Sequence, residues 1–315
     1  VAVLVVLVVA GAGRVQSRAA RPIPFEHLSL ADGLSQSTVT AIVQDRTGFM
    51  WFGTQDGLNR YDGYSFRVYK HDPDDPTSLP HDSIRALAAD SSGGIWIGAE
   101  GGGLCYWNPE SDSFTRYRHD PLDPESLPGD RVMALHLDRR GILWLGTAES
   151  GLARFDPATG VFHGYRHDPA DPGSLSGDHI RDIHEDRFGT LWIGTFDGLN
   201  AFDRDHQRFV RYRHDPADPA SLPDDRVLSV LEDGAGDLWV GSYGGGLARF
   251  DRRTRSFVRH AHDPDDPRSL SQDRVRVLFE DRRSRLWIGT DGGLNLLDGE
   301  SFSRYRHREA ELTSL

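Results

Sequence analysis

The chain has 315 residues, a formal net charge of −12 and one cysteine. That acidic balance argues against general nucleic-acid binding, which needs a basic footprint, and a lone Cys105 can form no internal disulfide and is read as a small buried hydrophobe. Length alone suggests two domains, but the repetition described below overrides that prior.

Val1 to Ala10 is an almost unbroken apolar run, followed by small residues and by Arg14, Arg18 and Arg21. It is too short to span a bilayer and reads as the apolar part of a secretory signal, with an A-x-A type cleavage site at Ala10-Gly11-Ala12. Residues 1–24 are therefore expected to be a signal remnant and leader, and the protein to be exported to the periplasm or beyond; an N-terminal membrane anchor is the alternative. Residues 25–37, F-E-H-L-S-L-A-D-G-L-S-Q-S, match the end of a repeat, as comparison with residues 114–131 shows. An opening strand without three strands before it is expected to close the last blade of a ring and so remove sheet edges.

The repeats fill the rest of the chain. Trp51, Trp96, Trp144, Trp192, Trp239 and Trp287 each have a glycine two residues on and an aspartate six residues back. Around Trp144 the unit comprises a Val/Ile/Leu-rich run, the turn D-R-R-G, the run I-L-W-L, a Gly-containing turn, L-A-R-F, a turn at 156–160, and an aromatic run ending Tyr165-Arg166-His167. Four short runs punctuated by Gly, Asp and Pro are strands and turns, and no segment has the length or spacing of an amphipathic helix. Four strands at this period make a β-propeller blade. The expected fold is all-β, with four-stranded antiparallel blades at about 38–71, 83–119, 131–167, 178–214, 226–262 and 274–307. The tryptophan should fill the wedge between blades, the glycine should permit close approach, and the aspartate should close its turn.

Connectors of the form H-D-P-x-D-P-x-S-L follow the aromatic runs, beginning at His71, His119, His167, His214 and His262. Histidine beside two carboxylates suits a metal, while Asp-Pro pairs suit a rigid turn with the histidine as its cap. The turn is the expectation, with no metal and no cofactor. After the sixth blade His307 to Leu315 has the length of the connector His119 to Leu127. Six blades of a seven-bladed type of ring, truncated at the C-terminus, are therefore expected.

The repeats differ at the start of the first strand. Thirteen residues before each tryptophan stand Thr38, Ser83, Arg131, His179, Arg226 and Arg274, and eleven before stand Thr40, Arg85, Met133, Arg181, Leu228 and Arg276. Arg85, Arg131, Arg181, Arg226, Arg274 and Arg276 are expected to gather at one mouth of the central channel. The second-to-third-strand turns open on the same face, where Phe196 and Tyr243 could stack on a sugar whose acidic groups the arginines hold. The competing expectation is an ion-pair ring in which each arginine meets the aspartate just before it, Asp82, Asp130, Asp178, Asp225 or Asp273.

The pattern D-x-x-G-x-L-W-I-G-T-x-x-G-L-N-R-Y-D, nearly intact at 45–62 and 186–203, together with the opening F-E-H-L-S-L-A-D-G-L-S-Q-S-T-V, resembles the two-component regulator propeller repeat. Ser284 for the turn glycine, Asn108 for the strand-end aspartate and His260 for the outer tyrosine are mild departures. The resemblance implies the periplasmic sensor region of a bacterial receptor, and the ligand expected at the channel mouth is a small molecule or oligosaccharide. It also implies receptor domains downstream in cis, a homodimer of the full receptor, and histidine kinase or diguanylate cyclase output outside this stretch, which itself carries no catalytic residues. The D-x-x-G-x-x-W turn differs by one residue in spacing from the sialidase Asp-box, and no quinone-dehydrogenase signature occurs. The alternatives are an interaction scaffold without a small ligand and, third, a propeller lyase or hydrolase.

Overall fold

The computed structural model describes residues 23, 25–307 and 314–315, so the expected signal segment lies outside the described residues. Six four-stranded antiparallel sheets follow one another at 39–69, 84–117, 132–165, 180–212, 227–260 and 275–305. Within each sheet the strands pair in chain order, as Val132–Leu137, Leu143–Thr147, Leu152–Asp156 and Val161–Tyr165 do in the third. The helical content of the described residues is one turn, Leu30–Asp32, capped by Ser29 and Asp32. The chain is thus an all-β propeller of six blades.

The repeated residues hold each blade together and join it to the next. Asp138 Oδ1 accepts the backbone N–H of Arg140 and Ile142, each at 2.9 Å, and Oδ2 accepts Trp144 Nε1 at 3.0 Å. One carboxylate therefore closes the first turn and orients the ring. Asp45, Asp186, Asp233 and Asp281 bind their own tryptophans in the same way. Blade two is an exception, because Asp90 Oδ2 takes the hydroxyl of Tyr106 at 2.8 Å. The oriented rings cross the blade boundary: Trp51 lies 4.5 Å from Trp107, and Trp192 lies 5.1 Å from Phe250. His260 replaces the outer tyrosine without loss of this packing, with its ring 5.7 Å from Trp239 of its own blade and 5.9 Å from Phe302 of the next. Gly146 needs to be glycine, since a Cβ there would sit 2.4 Å from Ile180 Cγ2 of the following blade.

Ionic contacts reinforce the boundary. Arg204 donates to Asp138 of the preceding blade at 2.8 Å and to Glu185 at 2.9 Å, and Arg252 repeats this with Asp186 and Glu232, each at 2.7 Å. Burial alone would raise the pKa of Asp138 and Asp186, but the bonds from tryptophan, arginine and backbone N–H outweigh it and hold both below the usual carboxylate range.

The connectors are turns capped by their histidines. His119 N–H donates to Asp130 Oδ1 at 2.8 Å and its Nδ1 meets the Leu127 carbonyl at 2.7 Å. The same pair of contacts joins His71 to Asp82, His167 to Asp178, His214 to Asp225 and His262 to Asp273. Cys105 is buried as expected, and burial pushes its thiol up to about 12.

Around the ring each inner strand packs on the next from blade one to blade six. Between blade six and blade one the sheet faces are open: Val277 and Phe279 are 55% and 61% exposed, and Ile42 across the seam is 46% exposed. Arg282 reaches over it to Gln44 Oε1 at 3.1 Å. The opening segment lies at this seam. Phe25 meets Tyr305 edge-on at 5.5 Å, as Phe257 meets Tyr212 at 5.9 Å, and His27 Nε2 is 2.8 Å from the Ser314 carbonyl. Phe25 thus stands on blade six where an outer-strand phenylalanine stands on every preceding blade. Residues 25–29 nevertheless join no sheet among the described residues, because a fourth strand forms a ladder only beside a third.

Candidate site at the channel mouth

Each inner strand has an irregular register near its start, for example between Ile84 and Ala86, Ile180 and Asp182, and Val275 and Val277. A bulge frees one residue from the pleat. The freed residues are Thr40, Arg85, Met133, Arg181, Leu228 and Arg276, so the position eleven before the tryptophan is a presenting position for a local reason.

The structure gives five of the six arginines partners that the sequence reading did not assign. Arg85 Nε donates to Glu100 Oε2 at 2.7 Å. Arg131 pairs with Glu149 and, at 3.3 Å, with Glu100, linking blades two and three. Arg226 pairs with Asp224 at 2.9 Å. Arg274 meets Asp291 at 2.8 Å, and Arg276 meets the same carboxylate. These bonds from arginine hold Glu100 and Asp291 below the usual carboxylate range. The aspartates expected in an ion-pair ring, Asp82, Asp130, Asp178, Asp225 and Asp273, cap the connectors instead. Glu100, Glu149, Asp224 and Asp291 were missed as partners. A signal existed, because the fourth residue after the tryptophan is acidic in two blades, two and six, whose bulge residue is arginine.

Tyr243 lies between two guanidiniums, with Arg226 at 4.3 Å and Arg274 at 3.8 Å from its ring. Phe196 has the His179 ring stacked on it at 4.2 Å and 8°, and Arg181 at 5.9 Å. Cationic and imidazole neighbours thus engage the faces of both aromatics. Arg181 forms no ion pair among the described residues, and its Nε and the Nε2 of His179 are buried without a partner. Burial, then Arg85 and Arg276, lower the Arg181 pKa against the opposing pull of Asp182. The three bulge arginines are thus within electrostatic reach of one another across the channel. Asp182 faces blade five, where it accepts Val230 N–H at 2.8 Å, and burial pushes its carboxyl up to about 6.

A cleft of about 460 Å³ lies elsewhere, floored by Trp192, Phe202 and Phe250 between blades four and five. Of the four arginines that line it, Arg204 is paired with Asp138 and Glu185 and Arg252 with Asp186 and Glu232, while Arg140 and Arg255 form no ion pair among the described residues. Among the described residues no three of His, Cys, Asp and Glu are grouped to hold a metal ion.

The profile of the family described as "Two component regulator propeller" matches this chain six times, at 33–56, 78–101, 126–149, 174–197, 221–244 and 269–292. The chain is similar to the extracellular domain of a B. thetaiotaomicron protein named as a hybrid two component system. The TM-score is 0.56 at 27% identity, over 90% of this chain and 42% of that one. Histidine kinase P4 of Formosa agariphila is 49% identical over 55 residues, which is 18% of this chain and 4% of that protein. The chain therefore corresponds to less than half of either relative. Virginiamycin B lyase of Staphylococcus aureus superposes with a TM-score of 0.63 at 13% identity, covering 86% of this chain and 84% of the lyase, a likeness of fold alone.

Proposed function

From the premise that this chain belongs to the two component regulator propeller family, we propose that it is the extracytoplasmic ligand-sensing module of a bacterial two component receptor. The observation that carries this reading is the contrast within the repeats. Aspartate, tryptophan and glycine recur in every blade as scaffold, whereas the channel mouth presents Arg85, Arg131, Arg181, Arg226, Arg274 and Arg276 with Phe196 and Tyr243 in an order that differs from blade to blade. A single ligand at the axis meets several blades at once, so unequal residues there suit recognition and equal ones do not.

The ligand on this reading is a small molecule or an oligosaccharide at the mouth. Binding changes how the propeller packs on receptor domains in cis or on a second receptor copy, and a kinase or cyclase segment of the receptor produces the output. The propeller itself is read as non-catalytic. Extracytoplasmic placement is supported by the similar domain being extracellular, and among the described residues no helix is long and apolar enough to cross a membrane.

The test joins residues 25–315 to the membrane and kinase segments of a two component receptor with a reporter gene. Reporter output that responds to a small molecule, and stops responding when Arg131 and Arg226 are changed to Gln, is the expected result. Output indifferent to a broad metabolite and oligosaccharide panel overturns the reading in favour of a scaffold that binds proteins only.

A further inference from the structure

The ion pairs at the mouth set five guanidiniums against four carboxylates, Glu100, Glu149, Asp224 and Asp291, and the unpaired Arg181 brings the excess among these groups to two positive charges. The excess is not spread evenly. Blades two, four and six present Arg85, Arg181 and Arg276 at the bulge, and the fourth residue after the tryptophan is Glu100, Phe196 and Asp291 respectively. In blades two and six that residue is the carboxylate which takes the arginine. In blade four a phenyl ring stands there instead, and Arg181 has no anion.

Neighbouring acids do not make good the loss. Asp197, in the same turn as Phe196, lies against Gly177 and forms no ion pair among the described residues. Asp182 is engaged with the backbone of Val230 and Ile183. What remains is a half-buried guanidinium whose Nε–H is unmet, beside a histidine whose Nε2 is unmet, both held on Phe196. The unmet Nε–H of Arg181 is a costly buried donor, and a guanidinium edge matches two oxygens of a carboxylate, sulfate or phosphate group. Burial and then Arg181 lower the His179 pKa and keep its ring neutral, so Nε2 donates to such a group in the tautomer that carries its proton there.

We propose that Arg181 and His179 form an anion subsite, in which a carboxylate, sulfate or phosphate group of the ligand takes the place that Glu100 and Asp291 hold in blades two and six. Phe196 is the wall of this subsite, keeping water from one side of the guanidinium. Arg85 and Arg276 add to the attraction, while the acidic outer surface acts weakly because charges beyond about 8 Å are screened at physiological salt. The inference rests on the channel mouth being the ligand site and names the chemistry that it selects.

The test is calorimetric titration of the chain with inorganic sulfate, with D-glucuronate and with D-glucose at constant ionic strength, using the natural protein, Phe196→Glu and Arg181→Gln. Phe196→Glu installs the carboxylate of the neighbouring blades. It is expected to fold with a single melt and to lose affinity for sulfate and glucuronate by about tenfold or more, as Arg181→Gln does, with glucose silent throughout. Natural protein without saturable binding of either anion, or Phe196→Glu binding both as before, overturns the subsite. Because Phe196→Glu keeps the arginine, the answer stands even if Arg181→Gln fails to fold. Anion binding that depends on Phe196 and Arg181 but leaves the reporter unmoved supports the subsite and removes the sensing role. A reporter that responds to other small molecules, in a protein that binds neither anion, removes the subsite and keeps the sensing role.

Discussion

At the scale of single residues, the tryptophans and two half-buried histidines make the most definite statements. Trp192 is 3% exposed, bonds Asp186 and packs on the next blade, so Trp192→Ala removes an inter-blade wedge and one of the bonds to a buried carboxylate. A loss of about 3 to 5 kcal/mol is expected in chemical denaturation, and a fully stable variant would show the ring to be a contact for ligand rather than core. His136 and His184 lie on adjacent inner strands with rings 6.2 Å apart, and burial lowers each from 6.5 to about 4. Their folded-state pKa is depressed, so their contribution is intact above pH 6.5 and is lost as pH falls toward about 4. Asp182, raised to about 6, has the opposite sign and gains as pH falls through that value. Two histidines outweigh one aspartate, so the melting temperature should fall between pH 6.5 and 4, and His136→Leu should flatten that fall. An unchanged slope in His136→Leu would assign the acid sensitivity elsewhere.

At the scale of the element, the first turn of each blade shows how a departure from the repeat is tolerated. Gly141 and Gly189 occupy this turn at φ 78° and 82°, and Ser284 holds the equivalent place in blade six at φ 54°. A side chain in the left-handed region is strained, so Ser284→Gly should stabilise the protein by roughly 0.5–1 kcal/mol. Gly141→Ala should destabilise it by a similar amount. Denaturation midpoints compared at constant slope decide both, and opposite signs would mean that the turn relaxes around its occupant.

At the scale of the whole molecule, the seam between blade six and blade one governs behaviour in solution. Val277 and Phe279 expose apolar surface on an uncovered sheet face, an arrangement that invites association. Sedimentation velocity is expected to show concentration-dependent association of the 315-residue chain. Val277→Thr with Phe279→Lys should return it toward a monomer, and so should one further repeat appended after Leu315, with Phe25 as its outer-strand phenylalanine. A natural chain that stays monomeric and melts sharply would show that the seam closes in solution.

The amino-acid sequence by itself determined the blades. Strand alternation, the Asp-x-x-Gly turn and the recurring tryptophan are local features, and each blade closes on contacts between residues a few positions apart. It also located the presenting positions, since the bulge recurs at a fixed distance from the tryptophan. Tertiary structure alone decided what those positions meet. Arg131, Arg226 and Arg274 each follow an aspartate directly in the chain, whereas Arg85 and Arg276 have a carboxylate fifteen residues on, Glu100 and Asp291. Composition could not show that the adjacent aspartates were already committed to connector backbone eleven residues back. Nor could it show that Phe196 stands where Glu100 and Asp291 stand, which leaves Arg181 without an anion. Those outcomes depend on where turns from different parts of a blade converge around the axis, a distance in space that the spacing along the chain does not encode.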